Sequence, residues 1–470
     1  MKRMVLVDPV TRIEGHAKVF LDMTDDGSVA GAGLVVNELR GFERILVGME
    51  ADKMPLITAR ICGVCPSAHH LAAAKALDAL TGVDPPPAGR LLRELLYMGH
   101  FIHSHALALF ALEGPDLIMG FDADPAVRNI AAMAEAAPEL TRKALRLRTL
   151  GQKINEMVGG RGVHPVTAVP GGITFALDKE NHATLEGWAA EALRLVRELL
   201  AVGKELLLRQ LEKHSDKLGS WSMPAWMMGT VQGGKVNFYD GLLRITDENG
   251  VPVAEFPSRD YSKYLVESVV EWSYMKKVRI RQGQESRSYR VGSLGRINCA
   301  DGMETEEADK EFREFRQSFG NPCHKTLLQM YARFIELLYA CEKAAEILRS
   351  PAIWGEPRVA VKLRAGKAVG HVEAPRGSLF HEYEVDEEGI VRSANLIVAT
   401  QQNYDAINQS ILQAAQSFAV GKGDPALLNA VEYAIRTYDP CLSCATHAIG
   451  RMPLEIVFRH NQEIVQTVRR

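Results

Sequence analysis

Two short segments near opposite ends of the chain each carry a pair of cysteines with two residues between them. The segments read RICGVCPSAH at residues 60–69 and DPCLSCATH at residues 439–447, so a histidine follows each pair. This spacing lets two thiolates face one ion, and two such pairs supply four soft sulfur ligands. The sequence therefore predicts metal binding by four cysteines: Cys62, Cys65, Cys441 and Cys444.

A structural zinc site is the first alternative. Structural zinc sites usually close a small knuckle, in which the metal compensates for a missing hydrophobic core. Here most of a 470-residue chain lies between the two pairs, which is enough to build a core of its own. A metal that the fold is built to hold is therefore favoured over a metal that holds the fold together.

The other cysteines do not form a second site. The chain has seven cysteines, and Cys299, Cys323 and Cys341 lie scattered outside the two pairs. This pattern is not a disulfide framework and fits a reducing compartment, so we expect the three to pack as small buried hydrophobes. The closely repeated cysteines of an iron–sulfur cluster are missing. A redox enzyme built on this chain would need a partner to carry its electrons.

Composition limits the class of partner. Hydrophobic residues make up 47% of the chain and charged residues 24%, with a formal net charge of −3. These values are typical of a globular protein in water and predict neither nucleic acid nor an anionic membrane surface as a partner. The sequence has no run of 18 or more apolar residues, so no membrane span is predicted. The first residues, MKRMVLV, lack the apolar region of a signal peptide, so we expect a cytoplasmic protein.

Read in full, the two cysteine segments resemble the signature of the large, catalytic subunit of nickel–iron hydrogenases. The matching patterns are R-x-C-G-x-C-x-x-x-H and D-P-C-x-x-C-x-x-H. Residues 8–16 (DPVTRIEGH), 40–43 (RGFE) and 373–377 (EAPRG) match further blocks of that family. The blocks follow the family order and cover essentially the whole chain. Thr446 and the pair Ile297–Asn298 look most like the soluble, cytoplasmic, NAD-linked bidirectional branch.

The resemblance implies a binuclear nickel–iron centre on the four cysteines. Cys62 and Cys441 would be terminal ligands of nickel, and Cys65 and Cys444 would bridge nickel and iron. The iron would carry one carbon monoxide and two cyanides, supplied by maturation proteins. The implied reaction is the reversible heterolytic cleavage of dihydrogen to protons and electrons.

The same resemblance assigns roles to residues outside the cysteines. Glu14 matches the carboxylate that takes protons from a nickel-bound cysteine, here Cys441, and a nearby carboxylate is suited to that transfer. Arg376 matches the arginine that hangs over the open side of the metal pair, with Asp439 as its natural partner. A fixed guanidinium in that position can polarise a bound molecule.

Four further residues are implied to support the centre. His69 would hydrogen-bond a ligand sulfur. Thr400 matches a hydroxyl residue that hydrogen-bonds a cyanide on iron, where many relatives have serine. Glu43 and His447 would bind a magnesium or iron ion, for which hard oxygen ligands are suited.

The end of the chain is implied to be removed during maturation. In the family a dedicated protease cuts after the last histidine of the second segment once nickel is in place. The cut here would separate His447 from Ala448, leaving residues 1–447 as the catalytic domain and residues 448–470 as the released extension. Dihydrogen-sensing relatives lack this tail, which favours a turnover enzyme.

The implied partners are several. An iron–sulfur small subunit would take the electrons, and a flavin- and NAD-binding diaphorase-type subunit or another electron-transfer subunit would pass them to a soluble acceptor such as NAD(P). Nickel-insertion proteins and the protease would act in maturation. Alternatives are a deazaflavin-linked or heterodisulfide-reducing enzyme, a zinc protein, or a non-catalytic scaffold such as the quinone-module subunit of respiratory complex I. That scaffold has lost the cysteines, all four of which are present here.

The elements that must position these residues are mainly helical. We predict one large α+β domain, predominantly α-helical, with small antiparallel hairpins at its edge and both cysteine pairs meeting in the middle. Helices are predicted at 71–80, 91–112, 128–158, 183–217, 304–319 and 324–349, and hairpins turn at 25–27, 248–250 and 387–389. His100, His103 and His105 do not share one helix face, so they are predicted core or polar-network residues. The glycine-rich loop at 159–172 lacks a phosphate-binding motif.

Overall fold

Both cysteine pairs lie at the entrance of a helix. This arrangement is seen in a computed structural model of the chain, which describes residues 3–120, 122–417, 425–448, 455–460 and 463–469. The helix after the first pair begins at Pro66, whose fixed φ suits the first helical position. The alanine-rich sequence that follows sustains it to Thr81.

The α-helices are α1 (Phe42–Leu46), α2 (Met54–Thr58), α3 (Pro66–Thr81), α4 (Pro87–Ala106), α5 (Gly114–Met119), α6 (Ile130–Ala136), α7 (Pro138–Gly159), α8 (Lys179–Lys213), α9 (Tyr261–Tyr264), α10 (Ser293–Cys299), α11 (Glu306–Phe319), α12 (Gln329–Arg349), α13 (Ala399–Gln402), α14 (Tyr404–Gln416), α15 (Pro425–Arg436) and α16 (Leu442–Ala445). The predicted helices are present, several with ends shifted by two to five residues, and two segments differ more. The segment predicted as one helix at 128–158 is two, because Pro138 ends α6 and begins α7. The segment predicted at 91–112 begins at Pro87 and ends in a π-helical turn, Leu107–Leu112.

The strands are β1 (Arg3–Val7), β2 (Ala17–Met23), β3 (Val29–Val36), β4 (Ala168–Val169), β5 (Gly172–Ile173), β6 (Trp226–Gln232), β7 (Lys235–Val236), β8 (Leu242–Thr246), β9 (Pro252–Phe256), β10 (Leu265–Val270), β11 (Ser273–Gln282), β12 (Glu285–Arg287), β13 (Tyr289–Arg290), β14 (Gly366–Ala374), β15 (Gly377–Val385), β16 (Val391–Ile397), β17 (Glu455–His460) and β18 (Glu463–Arg469). The three predicted hairpins are β2–β3, β8–β9 and β15–β16, and each belongs to a larger sheet. Those sheets run β1–β2–β3, β13–β6–β8–β9 with β7 beside β6, and β14–β15–β16.

Four long helices, α4, α7, α8 and α12, pack against one another and form the centre of the core. The helices α4 and α7 approach closely, because a Cβ atom on Gly151 would lie only 2.5 Å from the backbone nitrogen of His103. His100, His103 and His105 are buried in this core, as predicted. So are Cys299, Cys323 and Cys341.

One helical segment of the described residues, Pro87–Met119, is long enough and apolar enough to cross a membrane; it contains α4 and α5. Within the protein, 83% of its most apolar stretch is buried. That burial is what the contacts with α7 and α12 provide. The segment therefore has the environment of a core helix.

The sheet β14–β15–β16 lies directly on α3. A Cβ atom on Gly370 would lie 2.0 Å from the carbonyl oxygen of Ala72, so glycine in β14 and alanine in α3 allow strand and helix to touch. The β14–β15 hairpin turns at Pro375 and Arg376, where Ala374 pairs with Gly377. This contact fixes the position of Arg376 relative to the first cysteine pair. The fold is the predicted α+β fold, with both cysteine pairs in its interior.

Candidate metal centre

The two cysteine pairs meet, although nearly the whole chain separates them. The sulfur of Cys62 is 3.3 Å from that of Cys441, and the sulfur of Cys65 is 3.1 Å from that of Cys444. Cys441 and Cys444 are 2.9 Å apart, and all four sulfurs lie within 4.8 Å of one another. All four cysteines are buried and none forms a disulfide. We call these four residues the cysteine cluster.

The burial of the cysteine cluster disfavours four thiolates unless a cation is bound to them. Burial raises the pKa of the Cys441 and Cys444 thiols well above the usual value. Hydrogen bonds from neighbouring thiols lower the pKa of Cys62. Four thiolates so close together would repel one another, and a metal that binds thiolate sulfur removes that repulsion. The donor set therefore fits one or two soft metal ions.

A small cavity opens beside the cluster. Besides Cys65, Cys441 and Cys444, its walls are mostly apolar: Ala68, Ala374, Leu379, Val398 and Ala399 line it together with His69, Arg376 and Thr400. The walls of this cavity would offer small ligands on a metal few polar partners. Thr400, one of those partners, accepts a hydrogen bond from the backbone nitrogen of Cys441 at 2.9 Å.

Arg376 lies at this cavity and is held by Asp439. Its Nε donates to the backbone carbonyl of Asp439 at 2.6 Å, and its Nη2 donates to the carboxylate at 3.0 Å. Asp439 has a left-handed backbone, with φ of 48°, a conformation that costs of order 1–3 kcal/mol for a residue other than glycine. Among the described residues, the buried Nη1 of Arg376 and Oδ2 of Asp439 have no hydrogen-bond partner. The guanidinium therefore keeps one donor unused at the site.

The sequence did not reveal what holds the Arg376 turn. Arg296 of α10 is fully buried and donates to the carbonyls of Ala374 and Pro375, at 2.9 and 3.0 Å. Its charge is balanced by Glu336 at 2.5 Å and Glu373 at 2.7 Å. Removing one partner of a buried ion pair leaves an unpaired charge, which is costly. Arg296 is therefore held firmly by its two carboxylates, and it fixes the turn through the two carbonyls. Arg296 is linked to the site only by its contacts with residues 373–377. Its position along the chain gives no indication of these contacts.

A second buried pair supports the segment before Asp439. Arg333 of α12 contacts Glu113 at 2.5 Å and donates to the backbone carbonyl of Thr437 at 3.0 Å. Burial raises the pKa of Glu113 to about 7, although Arg333 opposes the shift. Neither residue was a candidate from sequence.

Glu14 lies beside the second cysteine pair. Its backbone forms a parallel bridge with Cys441, and its carboxylate accepts hydrogen bonds from the backbone nitrogen of Ser443 at 3.0 Å and from the Ser443 hydroxyl. Gly15 makes this approach possible, because its φ is +82° and a Cβ atom there would lie 2.8 Å from Cβ of Leu442. The carboxylate is therefore fixed at the start of α16, next to the cluster.

Glu43 and His447 also meet. Nδ1 of His447 lies 2.9 Å from the Glu43 carboxylate, which also accepts from the backbone nitrogen of Leu396 at 2.8 Å. Burial acts to raise the pKa of Glu43, but the hydrogen bond and charge of His447 outweigh it and lower the pKa. Nε2 of His447 contacts Gln401, a neighbour that the sequence did not suggest. A carboxylate, an amide oxygen and an imidazole at one point can hold a cation.

Of the remaining candidates, His69 contacts the cluster directly. Its Nε2 lies 3.2 Å from the sulfur of Cys444. Ala448 is buried next to His447, and the His447 carbonyl accepts from the backbone nitrogen of Glu43 at 3.0 Å. The side chains of residues 449–470 lie outside the described part of the structure. The described backbone of this extension forms the β17–β18 hairpin.

Fold and site together define a mainly helical α+β protein with a buried group of four cysteines that could hold metal. A family model described as nickel-dependent hydrogenase matches residues 40–144, and one described as HoxL-like matches residues 4–39. The chain is 41% identical over 415 residues to one subunit of the vhu F420-non-reducing hydrogenase of Methanococcus voltae, covering 88% of this chain and 98% of the relative. It is 38% identical to the beta subunit of the NAD-reducing hydrogenase HoxS of Cupriavidus necator, covering 97% of each chain.

A solved structure agrees. The crystal structure of an NAD⁺-reducing NiFe-hydrogenase in the H₂-reduced state matches with a TM-score of 0.90 and 37% identity, covering 95% of this chain and 99% of that one. The chain belongs to the nickel-dependent hydrogenase large-subunit family. It is the large subunit of a hydrogenase, an oxidoreductase that acts on dihydrogen.

Proposed function

We propose that the cysteine cluster holds a nickel–iron centre, with Cys62 and Cys441 as terminal nickel ligands and Cys65 and Cys444 bridging nickel and iron. The observation that carries this proposal is the meeting of four buried, unlinked sulfurs within 4.8 Å of one another. The centre, when bound, supplies the site at which dihydrogen is polarised and split heterolytically. Thiolate softness matches both metals.

The cavity beside the cluster supports carbon monoxide and cyanide as further ligands of the iron. Its mostly apolar walls suit small ligands that need few hydrogen bonds. The Thr400 hydroxyl, already accepting from the Cys441 nitrogen, has its own proton left to donate to a cyanide.

Two side chains handle charge and protons. With the centre bound, the Cys441 sulfur would hold a proton, and the Glu14 carboxylate, fixed on the neighbouring Ser443, would take it onward. Arg376 presents its unused Nη1 donor at the site while Asp439 holds the other face of the guanidinium. A positioned cation of this kind stabilises developing negative charge without reorganising during the reaction.

Glu43 and His447 form the candidate site for a magnesium or iron ion, with Gln401 as an additional oxygen donor. We further propose that residues 1–447 are the mature catalytic domain and that a maturation protease releases residues 448–470 after nickel insertion. The contact between Glu43 and His447 supports this division, because it ties the new chain end into the interior.

The electrons leave through iron–sulfur clusters of a small subunit, since the described part of this chain offers a single group of metal-ligating cysteines. The relatives are subunits of multi-subunit hydrogenases, which supports such a partner and a cytoplasmic location. A soluble acceptor such as NAD(P), reached through a diaphorase-type subunit, is supported by the likeness to the NAD⁺-reducing structure.

A second candidate acceptor has its own support. The F420-non-reducing relative is 41% identical, slightly above the 38% of the NAD-reducing one. A heterodisulfide-reducing partner would fit that branch. The native complex, isolated with its partner subunits, should reduce NAD⁺ under dihydrogen if the first candidate is right. Turnover with an artificial dye but none with NAD⁺ would favour the second.

The centre itself is tested by an infrared spectrum of the purified native complex in the carbon monoxide and cyanide stretching region. We expect one carbonyl and two cyanide bands that shift under dihydrogen. A blank spectrum with zinc bound would overturn the proposal. A blank spectrum with no metal, and with residues 448–470 still attached, would identify the sample as an unprocessed precursor.

The role of Arg376 is tested by Arg376→Lys. Lysine keeps the positive charge but cannot make two hydrogen bonds to Asp439 while leaving a third donor in a fixed direction. Loss of one pre-organised donor typically lowers turnover by roughly 10²–10³-fold, and we expect that loss in dihydrogen-dependent dye reduction with nickel content unchanged. Arg392→Lys is the matched control, because Arg392 makes an exposed ion pair with Asp386 far from the cluster. Equal activity in both variants would contradict the role of Arg376.

A further inference from the structure

A continuous line of buried hydrogen-bonding side chains ends on the Cys444 sulfur. The Tyr383 hydroxyl lies 2.6 Å from Nδ1 of His381, and Nε2 of His381 lies 3.0 Å from Nδ1 of His69. The remaining nitrogen of His69, Nε2, lies 3.2 Å from the Cys444 sulfur. We call Tyr383, His381 and His69 the histidine relay. All three residues are at most 1% exposed.

Regular structure holds the relay in place. His381 and Tyr383 are two residues apart in β15, so both side chains lie on the face that packs on α3. His69 is in the first turn of α3, which places its ring between β15 and the second cysteine pair. The two elements are tied together through β14, because Gly370 of β14 pairs with His381 and lies against Ala72 of α3.

The protons of the relay can point in only one direction once the cluster holds metal, a step that rests on the centre proposed above. A metal-bound thiolate has no proton and can only accept, so His69 must carry its hydrogen on Nε2. Its Nδ1 then accepts from Nε2–H of His381, whose own Nδ1 accepts from the Tyr383 hydroxyl. Each neutral imidazole has one donor and one acceptor, so the thiolate at one end and the phenol donor at the other favour the same pair of tautomers.

The environment keeps these groups neutral. Burial lowers the pKa of His69 to about 4 and lowers that of His381 well below its usual value. Burial also raises the pKa of Tyr383, against the opposing hydrogen bond of Thr58. The hydrogen bonds run in one buried line from Tyr383 to Cys444, so the relay acts through aligned dipoles.

We propose that Tyr383 and His381 are positioning residues that fix the tautomer of His69, so that its Nε2–H donates a hydrogen bond to the Cys444 thiolate and withdraws electron density from that sulfur. Hydrogen bonds to ligand sulfurs tune the electron density and reduction potential of metal centres. Cys444 faces the cavity assigned to the iron ligands, so the tuning is expected at the iron.

The test is the infrared spectrum of the native complex carrying Tyr383→Phe. Without the phenol proton, Nδ1 of His381 loses its donor, so the His381 tautomer that donates to His69 is less favoured and the hydrogen bond from His69 to Cys444 weakens. The sulfur becomes a stronger donor, so the carbonyl and cyanide bands should shift to lower wavenumber. Tyr404→Phe is the matched control: Tyr404 is equally buried, and its hydroxyl donates to the carbonyl of Leu34, outside the relay.

His381→Phe provides an independent variant of similar ring size. It removes the donor to His69, so its bands should shift in the same direction, and the double variant should shift no further than the larger single shift. Wild-type bands together with unshifted bands in both variants would overturn the relay while leaving the nickel–iron centre intact. A shift to higher wavenumber would also overturn the relay. Loss of all bands in both variants would overturn it too, because a group that only tunes the centre leaves the metals bound. A wild-type complex without such bands would overturn the centre and the relay together.

Discussion

Replacing Cys65 with alanine is expected to abolish both metal loading and hydrogen turnover. The Cys65 sulfur lies 3.1 Å from Cys444 and 3.9 Å from Cys441, so it touches both members of the distant pair. Losing a residue that merely orients a ligand costs roughly 10–100-fold in metal affinity, and losing a ligand that bridges two metals should cost more. Nickel and iron content of the purified complex, measured by mass spectrometry, should fall with activity.

The matched control for this change is Cys323→Ala. Cys323 is also buried, and burial raises the pKa of its thiol, but it lies outside the cluster. The two substitutions remove the same atoms from the interior, so a general loss of packing would affect both. Full nickel content in Cys65→Ala would refute the ligand assignment. Equal metal loss in both variants would point to misfolding.

Replacing Glu14 with glutamine is expected to stop turnover while leaving the metal centre loaded. Glutamine has nearly the same shape and can still accept from the Ser443 nitrogen, but its amide cannot take up a proton at neutral pH. General acid–base groups contribute roughly 10²–10⁴-fold to rate, and we expect a loss of that size in dihydrogen-dependent dye reduction. Nickel content and the infrared bands should match the unaltered protein.

Two further variants separate proton transfer from support of the loop. Glu14→Asp keeps the carboxylate on a shorter side chain and should retain more activity than Glu14→Gln. Ser443→Ala removes the hydroxyl that contacts the carboxylate but keeps the proton acceptor, so its activity should also stay above that of Glu14→Gln. If Glu14→Gln were as active as Glu14→Asp, the proton would leave the cluster by another group.

The cysteine cluster is the part of the site that the sequence predicts best. Paired cysteines with fixed spacing state their ligand chemistry directly, and blocks such as residues 373–377 carry Arg376 with them. The partners of Arg376 divide along the same line. Asp439 was foreseeable because it precedes the second pair, whereas Arg296 was not, because a buried arginine in a short helix resembles any surface arginine when read from sequence.

The fold was predictable where periodicity is clear. Long amphipathic helices such as α8 and hairpins with glycine turns follow from spacing alone. The region at 218–320 gave little signal, and the structure places strands there that lack alternation: six of the seven residues of β6 are buried. A strand buried on both faces cannot be told from a helix by its pattern. The π-helical turn after α4 has no sequence marker at all.

The separation of the two cysteine pairs along the chain also sets a timetable. Cys62 and Cys441 are 379 residues apart, and at synthesis rates of about 5–20 residues per second the ribosome needs roughly 20–75 s to make the second pair after the first. For that interval the first pair is half a site, two thiols without their partners. Glu14, which pairs with the residue that opens the last helix of the site, waits as long. Metal loading therefore belongs to the finished chain, and the cell must keep the early thiols reduced until the second pair arrives.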